Sequence, residues 1–153
     1  METTETQRVS TGIVAMEQEK ALQERIVNYA APRFFQEGFS RITTEEISRD
    51  LGISKKTLYR EFGTKEEIVR AVVRRQLASV EKELREVFDD ESRSFLERLG
   101  SQLRVASRLL STLGKPFLRD LSRYAPELWE EIQRFRHERV LDRMEGLLQR
   151  GKD

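Results

Sequence analysis

The chain has 153 residues, 36% of them charged and 37% hydrophobic, and its 28 Lys and Arg against 27 Asp and Glu give a formal net charge of +1. That mix can bury one core, and no uninterrupted apolar run approaches the roughly 20 residues that a membrane-spanning helix needs. With no Cys there is no disulfide framework or thiolate metal site, and the Glu-rich start lacks the basic segment and apolar block of a signal peptide, so a cytoplasmic location is expected.

Residues 1–16 are rich in Thr, Glu and Ser, hold Arg8 as their sole basic residue and show no sustained period, which predicts a flexible arm. A first long helix is expected over Glu17–Glu37, with Leu22, Ile26, Val27, Ala30, Phe34 and Phe35 on one stripe, a kink at Pro32 and Gly38 as a left-handed stop. Thr43 can cap a second helix with Glu46 closing a capping box, and Ile47 and Leu51 share its buried face. Gly52 ends it. Ile53 re-enters the apolar layer, Ser54 can cap a third helix, and Leu58 and Phe62 continue the buried side.

A capping box at Thr64–Glu67 begins a fourth helix that reaches about Phe88, with Ile68, Val69, Val72, Val73, Leu77, Val80, Leu84 and Val87 in helical register. After the acidic break Asp89-Asp90-Glu91, Ser94 and Glu97 open a Leu-rich helix ending at Gly114, which should be the most buried. A short segment from Pro116 to Tyr124 follows. Pro126 suits the first position of a last helix carrying Leu128, Trp129, Ile132, Phe135, Val140, Leu141, Met144, Leu147 and Leu148 to Gly151. No strand pattern occurs, so the expected fold is all-α.

The stretch from Thr43 to Lys65 carries the chemistry. On a wheel of about 100° per residue, Lys56, Thr57 and Arg60 point away from Leu58 and Phe62, while Lys55 and Tyr59 flank that apolar side. Such a basic, hydroxylated and aromatic surface suits a DNA major groove, where donors reach base edges and phosphates. Solubilisation of a surface helix would also explain three cations, but it would not explain caps, turn glycine and apolar spacing coinciding in one segment. Ile53 to Lys65 holds four Lys or Arg against one Glu, so local charge favours nucleic acid although the total is nearly neutral. The candidate DNA contacts are Thr43, Ser54, Lys55, Lys56, Thr57, Tyr59, Arg60 and Lys65.

The run GFSRITTEEISRDLGISKKTLYREFGTKEEIVRAV resembles the N-terminal DNA-binding domain of TetR-type transcriptional regulators. The likeness extends over roughly Gln23 to Val73 and is most specific at Gly38-Phe39, Thr43, Leu51-Gly52-Ile53-Ser54, Thr57-Leu58-Tyr59, Phe62 and Lys65-Glu66-Glu67. Glu61 departs from the pattern, standing where such proteins often carry His, Tyr or Arg. After the expected arm over 1–16, the resemblance implies a helix-turn-helix domain over 17–66 joined by a long fourth helix, and a helical regulatory domain over 67–153. It further implies a homodimer on a palindromic double-stranded operator, acting as a repressor that a small-molecule effector releases.

Proteins of this kind usually continue with two more helices that build the dimer. The chain is therefore expected either to be shortened at its C-terminus or to dimerise through the helices it has, with the apolar side of Pro126–Gly151 as a candidate surface. Within the implied cavity, the candidate ligand contacts are Leu103, Leu110, Phe117, Leu121, Trp129, Ile132 and Phe135. Enzymatic readings fare poorly: His137 is the sole His, no partner His stands at the spacing a metal helix needs, and no glycine-rich phosphate cradle follows a strand. No metal or cofactor is expected. A ligand-blind architectural DNA binder and a helical protein-interaction module remain the alternatives.

Overall fold

A computed structural model describes residues 3–90, 92–142, 145, 146 and 149, and within these ranges the side chains of 3–13, 88, 89, 110 and 140 lie outside the described set. Seven α-helices follow in order among the described residues: α1 (Thr3–Glu37), α2 (Thr44–Leu51), α3 (Lys55–Glu61), α4 (Lys65–Asp89), α5 (Phe95–Thr112), α6 (Lys115–Tyr124) and α7 (Pro126–Phe135). A 3-10 turn, Phe39–Arg41, links α1 to α2, and a π-helical stretch, Arg136–Leu141, prolongs α7. No strand occurs among the described residues, in agreement with the all-α expectation.

Four side-chain caps, at Thr43, Ser54, Thr64 and Ser94, set the helix starts as the sequence predicts. Thr43 Oγ1 accepts from the Glu46 amide at 3.2 Å while Glu46 Oε2 accepts from the Thr43 amide at 2.8 Å, so two of the amides that a helix start leaves without partners are satisfied reciprocally. Ser94 and Glu97 repeat this arrangement on α5. Thr64 also caps α4 by accepting from the Glu67 amide, but the Glu67 carboxylate reaches back one residue further and accepts from Gly63 N at 2.7 Å. The expected box on α4 is thus displaced by one residue. Pro126 occupies the first turn of α7, where a missing N–H costs nothing.

One continuous core joins the elements. Ile26, Ala30 and Phe34 of α1 meet Ile47 of α2, Leu58 of α3 and Ile68, Val69 and Val72 of α4, and the same cluster runs on through Leu84, Leu109, Leu113, Phe117, Leu121, Leu128 and Ile132. Burial of such side chains contributes about 1.5–3 kcal/mol each before conformational entropy is counted. The edge-to-face rings of Phe34, Phe35, Phe39, Phe117 and Tyr124 seat α6 on the end of α1, with centroids 5.1–6.4 Å apart.

Several expectations are corrected. Helix extends back to Thr3, where a flexible arm over 1–16 was expected, because prolonging an already nucleated helix needs only one hydrogen bond per residue. Pro32, which is exposed, lies inside α1, and the helix continues past it to Glu37. Gly38 has the positive φ of a helix stop, but its φ 88 and ψ 142 lie outside the left-handed helical region. The helix from Ser94 is not the most buried: Leu96 and Leu103 are 74% and 49% exposed, because only the stripe through Gln102, Val105 and Leu109 turns inward. The last helix opens into the π-helical stretch after Phe135, and Glu91, Met144, Leu147, Leu148 and Gly151 lie outside the described residues.

Gly114 lets α6 approach α1. Its φ is +56, and a Cβ there would stand 2.1 Å from the Phe35 carbonyl oxygen, so Gly114→Ala should lower stability by about 2 kcal/mol or more in urea unfolding. Thr43→Ala should cost about 0.5–2 kcal/mol at neutral pH. The Thr43 amide, followed by its hydroxyl, holds the Glu46 carboxyl below its ordinary value. A lowered folded-state value means that this stabilisation is present above the ordinary carboxyl range and is lost as pH falls through the lowered value. Thr43→Ala keeps the amide bond and removes the hydroxyl bond, so the gap in urea midpoints should narrow without closing on acidification; a constant gap would show that the hydroxyl bond to Glu46 contributes nothing.

Candidate nucleic-acid interface

The turn between α2 and α3 is built by backbone bonds. Gly52 adopts the left-handed conformation with φ 67 and ψ 30, its amide bonds to the Arg49 carbonyl at 3.1 Å, and the Ile53 amide returns to Ser48 O at 2.9 Å. Ser54 Oγ then accepts from the Thr57 amide at 3.0 Å and starts α3. Leu58 and Ile47 are fully buried beneath the turn, fixing which side of α3 faces out.

α1 holds both short helices from below. Arg25 donates to the Leu51 carbonyl at 3.4 Å and Gln23 to the Glu61 carbonyl at 3.3 Å, supplying donors to carbonyls that helix ends leave without an intrahelical partner. Arg33 donates to Glu37 at 3.0 Å and to the Tyr29 hydroxyl at 2.9 Å, and that hydroxyl donates in turn to Asp50 on α2. The hydrogen bond from Tyr29 and then that from Arg49 lower the Asp50 carboxyl below its usual range. Burial, followed by the bond to Asp50, raises the Tyr29 hydroxyl.

On the outward surface, Lys55, Lys56 and Arg60 are exposed, and Lys56 forms no ion pair among the described residues. Lys55 Nζ is bound to Glu45 of α2, a bond that raises the lysine and lowers the glutamate from their ordinary values. Arg60 donates through Nε and Nη2 to Glu61 Oε1 at 3.2 and 3.0 Å. Tyr59 is 43% exposed and shares a 3.0 Å hydrogen bond with Thr44 Oγ1, so its ring is tethered across the turn. Thr57 was expected to point outward; it is half-buried, and its hydroxyl lies 2.9 Å from Ser54 Oγ. Thr43 and Ser54 are exposed, each with its oxygen engaged in a cap. Lys65, in the first turn of α4, is half-buried, and desolvation lowers its pKa. Lys55, Lys56 and Arg60 are thus the exposed cations of one face, Lys55 and Arg60 each held by a glutamate and Tyr59 tied beside them.

The expected ligand-contact residues divide between the common core and the surface. Phe117, Leu121 and Ile132 are buried in the common core, Trp129 and Phe135 are half-buried, Leu103 is exposed, and the Leu110 side chain lies outside the described residues. An open groove of about 660 Å³ lies between α4 and α7 with its π-helical extension. Phe135 is the one expected contact in its wall, which otherwise bears Arg74, Arg85, Arg134 and Arg139 beside Glu81, Glu131 and Glu138. His137 is exposed on the π-helical stretch, and no group of three potential metal ligands occurs among the described residues.

Sequence reasoning missed three buried polar side chains: Glu61, Gln102 and Asp120. Each stands where its helix should be apolar: Glu61 three residues after Leu58, Gln102 three before Val105, and Asp120 between Phe117 and Leu121. A polar residue inside an apolar period was the available signal.

Residues 26–72 match the family described as bacterial regulatory proteins, tetR family. Over 100 residues the chain is 30% identical to a protein of Bacillus subtilis (strain 168) described as the uncharacterized HTH-type transcriptional regulator YvaF, an alignment that covers 65% of this chain. The chain spans about half, 52%, of that relative's length. No solved structure matches the chain significantly. No helix among the described residues is long and apolar enough to cross a membrane. With the capped α2–α3 pair and its cationic face in place, residues 26–72 are similar to the helix-turn-helix domain of the tetR family of bacterial regulatory proteins.

Proposed function

We propose that this protein is a cytoplasmic transcriptional repressor that binds a palindromic operator as a homodimer and leaves it when a small molecule occupies the helical body. The carrying observation is the α2–α3 pair, whose buried Ile47 and Leu58 leave Lys56 and Arg60 exposed on one face. In this reading Lys56 and Arg60 meet phosphates or base edges, Lys55 and Tyr59 lie at the margin, and Thr43, Ser54, Thr57 and Lys65 place the helices against the backbone. Two such helices enter successive major grooves when held about 34–36 Å apart. Leu96, Leu103 and Leu141, exposed on α5 and the π-helical stretch, support association between copies.

Residues 17–66 act as reader and 67–153 as body, with α6 as the link. Asp120 of α6 is buried and accepts from the Ser40 amide at 2.8 Å, in the turn that leads into α2. Gly38 admits that carboxylate, since a Cβ there would lie 2.6 Å from Asp120 Oδ2. A displacement of α6 therefore pulls directly on the entry to the reader. An effector need favour the off-DNA arrangement by only about 1–3 kcal/mol to control binding. Gln102, 1% exposed with neither amide atom hydrogen-bonded, supports a polar ligand contact inside the body, with Phe117, Leu121, Trp129, Ile132 and Phe135 as surrounding apolar candidates.

Footprinting on the DNA upstream of its own gene at about 150 mM salt should protect one inverted repeat. Scattered protection with a steep salt slope and no effector response would indicate an architectural binder instead, and no retention would indicate an interaction module. Lys56→Ala should lower affinity for every duplex and reduce the salt slope by about one. Glu45→Gln should free Lys55 and raise non-specific affinity, while an unchanged value would show that Lys55 does not reach DNA. Asp120→Asn keeps an acceptor for Ser40 and should retain operator binding; Asp120→Leu should weaken it, and equal binding by both would remove α6 from the coupling route.

A further inference from the structure

Glu61 closes α3, where the carbonyl ends of the helix already disfavour a carboxylate, and its side chain is only 2% exposed. Arg60 occupies one oxygen, Oε1, while Oε2 is buried without a hydrogen-bond partner among the described residues. An orphaned buried acceptor is costly, and this one is charged. The residue lines a cleft of about 430 Å³ between the front of α1 and the end of α3, shared with Ala15, Gln18, Glu19, Leu22 and Arg60. Glu61 and Glu19 against Arg60 leave this cleft one negative charge in excess, which one monovalent cation would balance.

We propose that this cleft binds a primary alkylammonium ion, whose N–H donors serve Glu61 Oε2 and Glu19 and whose hydrocarbon part lies on Leu22 and Ala15. A divalent metal fits less well. It would overcompensate the charge, and hard cations take six or more oxygen ligands, whereas no cluster of three potential metal ligands occurs among the described residues. The site is separate from the body and from the groove between α4 and α7, and it stands independently of any effector bound there.

The test is calorimetric titration of the DNA-free full chain with n-butylammonium chloride, ionic strength being held constant with tetramethylammonium chloride, which has the charge but no N–H donor. Saturable binding is expected for the wild type, weakened about tenfold or more in both Glu61→Gln and Glu19→Gln, as suits the loss of a charge-assisted hydrogen bond. Glu19 is exposed, so Glu19→Gln decides the matter even if Glu61→Gln changes the fold. Absence of saturable binding, unaltered binding in Glu19→Gln, or equal binding of tetramethylammonium would overturn the proposal. So would displacement of butylammonium by an equimolar amount of magnesium chloride, which would mark the cleft as a metal site.

Discussion

The seating of α6 against the end of α1 is the contact on which the remaining geometry turns, because it is where two glycines remove side chains that would hold the elements apart. Gly114 brings the start of α6 onto the Phe35 carbonyl, and Gly38 opens room for the Asp120 carboxylate beside the Ser40 amide. Between these points, Phe117 packs edge-on to both Phe35 and Phe39. Asp120 gives the Ser40 amide a protein acceptor in that turn, at 2.8 Å. Packing and polar satisfaction thus select the same placement of α6, and that placement fixes where α2 begins.

The reading face follows from opposite demands on adjacent residues. Leu58 must be buried for α3 to stay on α1 and α2, which forces Lys56 and Arg60 outward one turn at a time. The charge so displayed is moderated by the protein itself: Glu45 engages Lys55, and Glu61 engages Arg60. The exposed Lys55–Glu45 pair adds little to stability. The two pairs leave Lys56 as the cation of this face without an ion pair among the described residues.

Much of this was legible from sequence because the signals were local. The caps at Thr43, Ser54 and Ser94, the turn at Gly52 and the outward cations each depend on residues within four positions of one another, and periodicity alone identified the buried faces of α1 and α4. The misplacements arose where distant chain segments decide. Nothing near Asp120 announces that Ser40 needs an acceptor, and nothing near Leu103 shows that α5 turns a different stripe inward. Thr57 was read from a wheel, which places a Cβ but ignores the Ser54 hydroxyl that holds it. The expected cavity residues were apolar at helical spacing, a pattern that a packed interior and a ligand wall share.

Because Phe39 stacks on rings from α6 while Ile68, Val69 and Val72 complete the floor under α2 and α3, the hydrophobic interior has no seam at residue 66. A fragment cut there would bare aromatic and branched surfaces to water on both sides of the scissors. Heat or denaturant should accordingly melt the chain on both sides of that position in a single step, and the helices after residue 66 could not be exchanged for others without also refitting the patch on which Phe39 rests.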